Sequence, residues 1–203
     1  MDAKLKSKTS FDKQAATYDV SDFSKYPREC YPYVMEAIKG IKFNRVLDLG
    51  CGTGVILEQI KQSYNTVELY GLDLSENMIA QARQRLDFKA IFSTGDAESL
   101  PYENNSFDLV CCIESFHHYP NPRKALLEIK RVLKKGGTLL LCDTWIKAPA
   151  RQIMNLFIRF SNDGDVHIYS EHEIIRLLAE IGFKSISWVQ ITNRAYLCMS
   201  QKI

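Results

Sequence analysis

The chain has 203 residues, of which 46% are hydrophobic and 25% are charged, and this composition excludes a disordered chain. The length predicts one domain with a substantial core. The 26 basic and 24 acidic residues leave a formal net charge of +2, which argues against the strongly basic surface that nucleic-acid-binding proteins use.

Residues 1–40 precede the first predicted strand, and we expect them to form N-terminal cap helices. Pro27 predicts the start of a helix, because proline is favoured in the first turn and disfavoured further on. After Pro27, apolar side chains share one helical face: Tyr31, Val34, Met35 and Ile38.

The lysines at the N-terminus, Lys4, Lys6 and Lys8, are not followed by an apolar segment. The longest apolar runs have about five residues, whereas a helix that spans a bilayer needs about 20. We therefore expect a cytoplasmic protein without integral membrane association.

Residues 41–142 alternate between apolar runs and helical patterns. Strands are predicted at 45–49, 67–72, 89–93, 107–113 and 138–142, and helices at 55–63, 75–86 and 122–134. Strands that alternate with helices form βαβ units, which give a mostly parallel sheet with helices on both faces. We expect the helix over 122–134 to end at the glycines after Lys134 and Lys135, since basic residues suit a helix C-terminus and glycine suits its cap.

The long connection over 143–169 contains an apolar helical stretch at 153–158. Two interpretations stay open for it. It is either a crossover helix packed on the sheet or a lid over a ligand pocket, because long connections in compact domains are often functional.

Residues 170–203 are predicted to form a C-terminal helix and hairpin. Ser170 and Glu173 form a capping-box pattern before a helix over 171–181 that ends at Gly182. The strands predicted at 183–191 and 195–201 are so close in sequence that they must pair antiparallel at the sheet edge. The predicted fold class is α/β, a Rossmann-like, doubly wound, mostly parallel seven-stranded sheet with an antiparallel C-terminal hairpin.

The six cysteines show neither the spacing of a disulfide framework nor a C-x-x-C pair for zinc. They are Cys30, Cys51, Cys111, Cys112, Cys142 and Cys198. Adjacent residues on a strand point to opposite faces, so Cys111 and Cys112 cannot chelate one metal ion. We expect reduced, mostly buried thiols, no metal site and no converging set of cysteines.

The most informative segment is VLDLGCGTG at 46–54, a strand that leads through a glycine-rich turn into a helix. Glycines at such a turn let a ligand approach the backbone beside a helix N-terminus. A dinucleotide-binding fingerprint would place glycine or alanine where this chain has Val55, and no Gly-Lys-Ser/Thr follows for a P-loop. The carboxylate of Asp48 on this strand suits a ligand with positive charge.

Carboxylates are predicted at four successive strand ends: Asp48, Asp73, Asp96 and Glu114. Open α/β sheets bind ligands at this edge, where a carboxylate placed like Asp73 can accept both hydroxyls of a ribose. Asp96 is placed for an adenine amino group. A cap or turn role explains any one of these carboxylates, but the set favours a ligand site.

These motifs resemble those of class I S-adenosylmethionine-dependent methyltransferases, in particular the ubiquinone/menaquinone-biosynthesis type within the methyltransferase type 11 group. The matching segments follow the order of that family, at 46–54, 71–75 with Met78, 95–97, 106–110, 117–118 and 131–137, with weaker similarity at 11–19 and 169–183. The resemblance implies transfer of a methyl group from S-adenosylmethionine to a small-molecule acceptor by in-line displacement, with release of S-adenosylhomocysteine.

The resemblance also implies a set of cofactor-binding residues. They are Tyr18, Asp48, Gly50, Cys51, Gly52, Asp73, Leu74, Met78, Asp96, Ala97, Ile113 and Glu114. In this family pattern Asp48 faces the cofactor's ammonium group, Asp73 holds the ribose and Asp96 accepts from the adenine.

His117 and His118 are candidate general bases, because an unperturbed histidine has a pKa of about 6.5. The alternative is that both are structural residues of a loop before Pro120. A base is required only if the acceptor must lose a proton. His167 and Tyr169 are weaker candidates.

We expect the acceptor pocket to be built from residues 1–40 and 143–169 over a cofactor-binding core at 41–142, with 170–203 as the C-terminal helix and hairpin of one domain. The expected assembly is a monomer or homodimer without nucleic acid. Two alternatives to a methyltransferase are a non-catalytic S-adenosylmethionine-binding regulator and a nicotinamide-dependent oxidoreductase. Carbon, nitrogen, oxygen and sulfur acceptors all stay open.

Overall fold

The computed structural model describes residues 2–203, except for the side chain of Arg159. Its strands are β1 Arg45–Leu49, β2 Glu68–Asp73, β3 Ile91–Thr94, β4 Phe107–Ile113, β5 Leu133–Thr144, β6 Phe183–Gln190 and β7 Ala195–Lys202. They form one seven-stranded sheet in the order β3-β2-β1-β4-β5-β7-β6. β1 to β5 run parallel, and β7 pairs antiparallel with β5 and β6. The predicted fold class is confirmed.

The α-helices of the described chain are α1 Ala3–Gln14, α2 Asp22–Lys39, α3 Val55–Ser63, α4 Glu76–Leu86, α5 Pro122–Val132, α6 Ala150–Phe157 and α7 Glu171–Ile181. The capping signals act as the sequence predicts. Ser75 accepts a hydrogen bond from the backbone N–H of Met78 at 3.0 Å, and Ser170 with Glu173 forms a capping box. Gly182 ends α7 in the left-handed conformation, with φ of 88°. None of the described helices combines the length and apolarity needed to cross a lipid bilayer.

Buried side chains pack on both faces of the sheet. On one face the strand residues pack with the apolar sides of α2, α3 and α4, and on the other with those of α5 and α7. Cys111 lies in the first group and Cys112 in the second, which confirms that their side chains point to opposite faces. This arrangement leaves the carboxyl ends of the parallel strands as the open edge.

Two predicted helix boundaries are wrong. α2 begins at Asp22 rather than at Pro27, which lies inside the helix. The first turn of α2 carries buried Ser24, whose hydroxyl donates to the carbonyl of Ser21 at 3.1 Å, so the chain is already helical before the proline.

α5 ends at Val132 and not at the glycines after Lys135. Leu133 instead begins β5 and pairs with Phe107 of β4. The Lys134 ammonium then lies 2.7 Å from the carboxylate of Asp108. Strand pairing therefore overrides the helical pattern here.

The segment over 143–169 does not contain a crossover helix packed on the sheet. α6 has no buried residue, and the side chains of Ile153, Leu156 and Phe157 are exposed. The chain after α6 returns to the open edge, where the backbone N–H of Val166 donates to the carbonyl of His117 at 2.8 Å.

Candidate active site

A cavity opens to solvent at the carboxyl ends of β1 to β4, and its empty space, with the solvent at its mouth included, is about 900 Å³. Most of the predicted cofactor residues line it: Tyr18, Gly50, Cys51, Gly52, Asp73, Leu74, Met78, Asp96, Ala97, Ile113 and Glu114. The structure therefore brings together residues that lie almost a hundred positions apart in the sequence. We call this space the first cavity.

Asp48 is the predicted residue that does not line the first cavity. Its side chain is only 3% exposed and lies on β1 beneath the glycine-rich turn. Within the described residues its carboxylate makes no hydrogen bond, and burial together with the nearby charge of Asp73 raises its pKa to about 8. An unpaired buried carboxylate is costly, so this position is suited to a nearby cation.

Asp73 is fixed by backbone hydrogen bonds at the end of β2. It accepts from the N–H of Gly52 at 2.9 Å and from the N–H of Ser75 at 2.8 Å. Burial nevertheless raises the pKa of Asp73 above its ordinary value. Gly52 has φ of 51°, and a Cβ added there would meet no atom within 4 Å, so the turn leaves room for a ligand beside Asp73.

Asp96 is held by a residue that the sequence analysis missed. The ammonium of Lys4 on α1 lies 2.7 Å from the carboxylate of Asp96 and 2.7 Å from that of Glu98. Lys4, Ser7 and Phe11 of α1 all line the first cavity. α1 is largely polar, and no sequence signal placed it over the strand ends.

Glu114 follows β4 with φ of 48°, an unusual value for a residue with a side chain. The hydroxyl of Thr144 donates to its carboxylate at 2.9 Å, and the thiol of Cys30 lies 3.7 Å away. Burial, with the charge of Asp143, raises the pKa of Glu114 well above its ordinary value.

Two cysteines converge on Glu114, contrary to the sequence expectation. Potential ligand atoms of Cys30, Glu114 and Cys142 lie within 4.8 Å of one another. The expectation was wrong because Cys30 lies on α2 and Cys142 on β5, and only the packing of that helix on the sheet brings them together.

A second cavity, also open to solvent, adjoins the first; its empty space, with the solvent at its mouth included, is about 530 Å³. Phe11, Tyr18, Pro27, Glu114 and His118 line both cavities. The second cavity is completed by residues from the N-terminal helices, the strand ends and the segment after α6: Gln14, Phe23, Tyr26, His117, Thr144, Asp163 and Asp165.

His117 forms a pair with Asp143, a fifth strand-end carboxylate that the sequence analysis did not single out. The Asp143 carboxylate accepts from the backbone N–H of His117 at 2.9 Å and also contacts its Nδ1. Burial lowers the pKa of His117, but the charge and hydrogen bond of Asp143 outweigh that effect and raise it. His117 is thus an oriented imidazole on the wall of the second cavity.

His118 has a different environment. Its Nδ1 lies 3.3 Å from the carboxylate of Asp165, and burial together with neighbouring His117 lowers its pKa to about 3. The other two candidate residues, His167 and Tyr169, lie outside both cavities. His167 contacts Glu173 at 3.2 Å and packs against Tyr169. Of the four, His117 is therefore the best arranged as a base.

Comparisons with known proteins find methyltransferases. A family model described as "Methyltransferase domain" matches residues 47–141. The O-methyltransferase rstn1 of Aspergillus nomiae is 31% identical over 169 residues, which cover 80% of this chain and 74% of that protein.

Other curated relatives match over a shorter part of their length. The uncharacterized methyltransferase YcgJ of Bacillus subtilis is 35% identical over 123 residues, covering 59% of this chain and 47% of YcgJ. Demethylmenaquinone methyltransferase of Thermotoga maritima is 36% identical over 110 residues, covering 54% and 48%. This chain thus spans about half the length of these two relatives.

Solved structures share the fold. The structure of a Haloferax volcanii complex between the Trm112 methyltransferase activator and a methyltransferase matches with a TM-score of 0.78 and 21% identity, over 94% of this chain and 96% of that chain. The crystal structure of YcgJ matches with a TM-score of 0.72 and 21% identity, over 86% and 98%.

Proposed function

This chain belongs to the class I S-adenosylmethionine-dependent methyltransferase family, and we propose that it transfers a methyl group from S-adenosylmethionine to a small-molecule acceptor and releases S-adenosylhomocysteine. The observation that carries the proposal is the pair of adjoining cavities with a shared wall. The first cavity would hold the cofactor and the second the acceptor, so that the two reacting groups meet at Glu114.

The chemistry of the first cavity fits a cofactor whose reactive end is cationic. Asp48, Asp73 and Glu114 have raised pKa values because they are buried, and a cation would relieve that cost. Asp73 would accept from the ribose hydroxyls. Asp96 would accept from the adenine amino group beside its contact with Lys4.

When bound, the cofactor supplies a methyl carbon that is activated by its sulfonium sulfur. The task of the chain is then to hold the acceptor atom opposite that sulfur, and alignment of this kind can supply about 7–11 kcal/mol. His117 would take a proton from an acceptor that has one to lose. Asp143 keeps the imidazole oriented through Nδ1.

Calorimetric titration tests the proposal. S-adenosylhomocysteine is expected to bind with one site per chain, and NAD is expected not to bind. Binding of NAD alone would favour the oxidoreductase alternative. Release of S-adenosylhomocysteine is then measured with amine, hydroxyl, carboxyl and thiol acceptors. Binding without turnover in that panel would favour the regulator.

A further inference from the structure

The second cavity is rich in carboxylates. Glu114, Asp163 and Asp165 line it, and among the described side chains no lysine or arginine does. Each carboxylate accepts a hydrogen bond from a neutral hydroxyl, namely those of Thr144, Ser10 and Ser161, at 2.9, 2.5 and 2.7 Å. Hydroxyl donors carry no positive charge, so they do not neutralise these carboxylates. Asp165 also lies 3.3 Å from Nδ1 of His118 and 3.6 Å from Nε2 of His117.

The net charge of the second cavity stays negative even when His117 and Glu114 are protonated. A proton on His117 faces Asp143, which contacts its Nδ1, and also Asp165, whose carboxylate lies 3.6 Å from its Nε2. One positive charge therefore meets two carboxylates, and a proton on Glu114 only removes one further negative charge. Asp163 and Asp165 then remain. Such a cavity repels an anionic acceptor and attracts a cationic one.

Aromatic rings form another part of the lining of the second cavity. Phe11, Tyr18, Phe23 and Tyr26 line the second cavity, and the rings of Phe11 and Tyr18 meet edge to face at 6.2 Å. The face of an aromatic ring attracts organic cations, and ammonium ions are often bound between such rings. Aromatic rings and carboxylates in one cavity together favour an organic ammonium ion over a neutral ligand of the same size.

We propose that the second cavity binds the methyl acceptor as a small primary or secondary ammonium ion and that the chain is an N-methyltransferase. This inference rests on the function proposed above. One N–H proton of the ammonium passes to Nε2 of His117. The lone pair left on nitrogen forms the new N–C bond, while the C–S bond of the cofactor breaks and its electron pair stays on sulfur. The proton on His117 then passes to solvent.

Three probes of similar size and shape test the effect of charge: choline, 3,3-dimethylbutan-1-ol, in which carbon replaces the nitrogen of choline, and 3,3-dimethylbutanoate. Each is titrated calorimetrically into protein saturated with S-adenosylhomocysteine. Choline is expected to bind about tenfold or more tightly than the neutral alcohol, and the anion least tightly. Equal or tighter binding of the alcohol or the anion overturns the inference.

The same titrations separate this inference from the function on which it rests. If S-adenosylhomocysteine does not bind, the proposed function fails. If it binds but choline shows no preference over the alcohol, the function stands and the ammonium site is wrong.

Matched variants locate the site. The Phe23 side chain is 62% exposed, so Phe23→Ala leaves the fold intact and is expected to lower choline affinity about threefold. Asp163→Asn keeps an oxygen for Ser10 and is expected to lower it about fivefold. Glu36→Gln, an exposed change on α2 outside both cavities, is the control. Choline affinity that is unchanged in both cavity variants contradicts the inference.

His117→Asn tests the proton transfer. An alkylamine is protonated at neutral pH, whereas an aniline is already neutral. The variant is expected to lower kcat for the alkylamine about 100-fold and to affect the aniline much less, with the affinities for choline and S-adenosylhomocysteine retained. An equal loss for both amines would show that His117 does not remove the proton.

Discussion

Carboxyl groups at the two ends of the parallel strands have pKa values that are shifted in opposite directions. At the edge formed by the carboxyl ends of the strands, burial raises the pKa values of Asp48, Asp73 and Glu114. At the other edge, Asp108 accepts from the backbone N–H groups of Asn44 and Arg45, both at 2.9 Å. These two donors and the ammonium of Lys134 lower the pKa of Asp108, although burial alone would raise it.

The difference separates stability from function within one sheet. Asp108 receives its donors from the chain itself, so its charge stabilises the fold. At the open edge Asp48 has no such donors, and at Asp73 and Glu114 burial outweighs the hydrogen bonds that are present, so these charges weaken the folded state until a cationic ligand is bound. Each prediction below tests one side of this comparison.

The largest effect is expected for Asp108→Ala. The change removes three charge-assisted contacts and should lower the free energy of unfolding by about 2–3 kcal/mol, measured by urea denaturation. Affinity for S-adenosylhomocysteine should not change, because Asp108 lies at the opposite edge. A loss of affinity without a loss of stability would contradict the comparison.

Asp73→Ala should act on the cofactor. Loss of a charge-assisted acceptor is expected to weaken the binding of S-adenosylhomocysteine by about 1–3 kcal/mol, which calorimetry can measure. Unchanged affinity would mean that the ribose does not bind at Asp73.

Asp48→Asn should raise stability and lower affinity at the same time. The cofactor-free variant is expected to gain about 1 kcal/mol at pH 8, because a buried unpaired charge is removed, while it binds S-adenosylhomocysteine less tightly. Thermal unfolding and calorimetry measure the two effects. A variant that is less stable than the parent would show that Asp48 is paired in the folded chain.

The pH dependence of Asp48 follows from the direction of its shift. Its folded pKa is raised from 3.8 to about 8, so the folded state holds a proton that the unfolded state has lost between these values. Stability should therefore fall as pH rises through this window, and Asp48→Asn should flatten the decline. Asp108 has the opposite sign, since its lowered pKa contributes stability that is lost as pH falls through the folded value.

Lys134→Met should have the smallest effect. Its ammonium pairs with Asp108 at 2.7 Å, but its side chain is 40% exposed, so the expected loss of stability is about 0.5–1 kcal/mol. High salt should reduce the difference between the variant and the parent. A larger loss that does not respond to salt would point to packing of the lysine stem instead.

The strands and the glycine-rich turn could be predicted because their signals are local. Short, nearly continuous apolar runs mark β1 and β4, and Gly52 beside the N-terminus of α3 marks a ligand turn. The contacts of Lys4 with Asp96 and of Asp165 with His118 could not be predicted in this way. They depend on how segments distant in sequence pack over the open edge.

The predicted C-terminal end of α5 is wrong for a related reason. Lys134 and Gly136 carry a good local signal for a helix end, but Leu133 gains more by pairing with Phe107 in the sheet. Local preference decides an element only where no tertiary contact competes with it.

The contacts that attach α1 to the rest of the protein bear on how long a ligand stays bound in the first cavity. Ser7 is its one buried residue within the described chain. Phe11 packs edge to face on Tyr18 and His118, and the other links to the body are largely polar, such as Lys4 to Asp96 and Asp12 to Ser75. A helix held in this way opens at low cost. We therefore expect the residence time of a ligand in the first cavity to follow the opening rate of α1, and we expect added salt to shorten it by screening the ion pairs of Lys4.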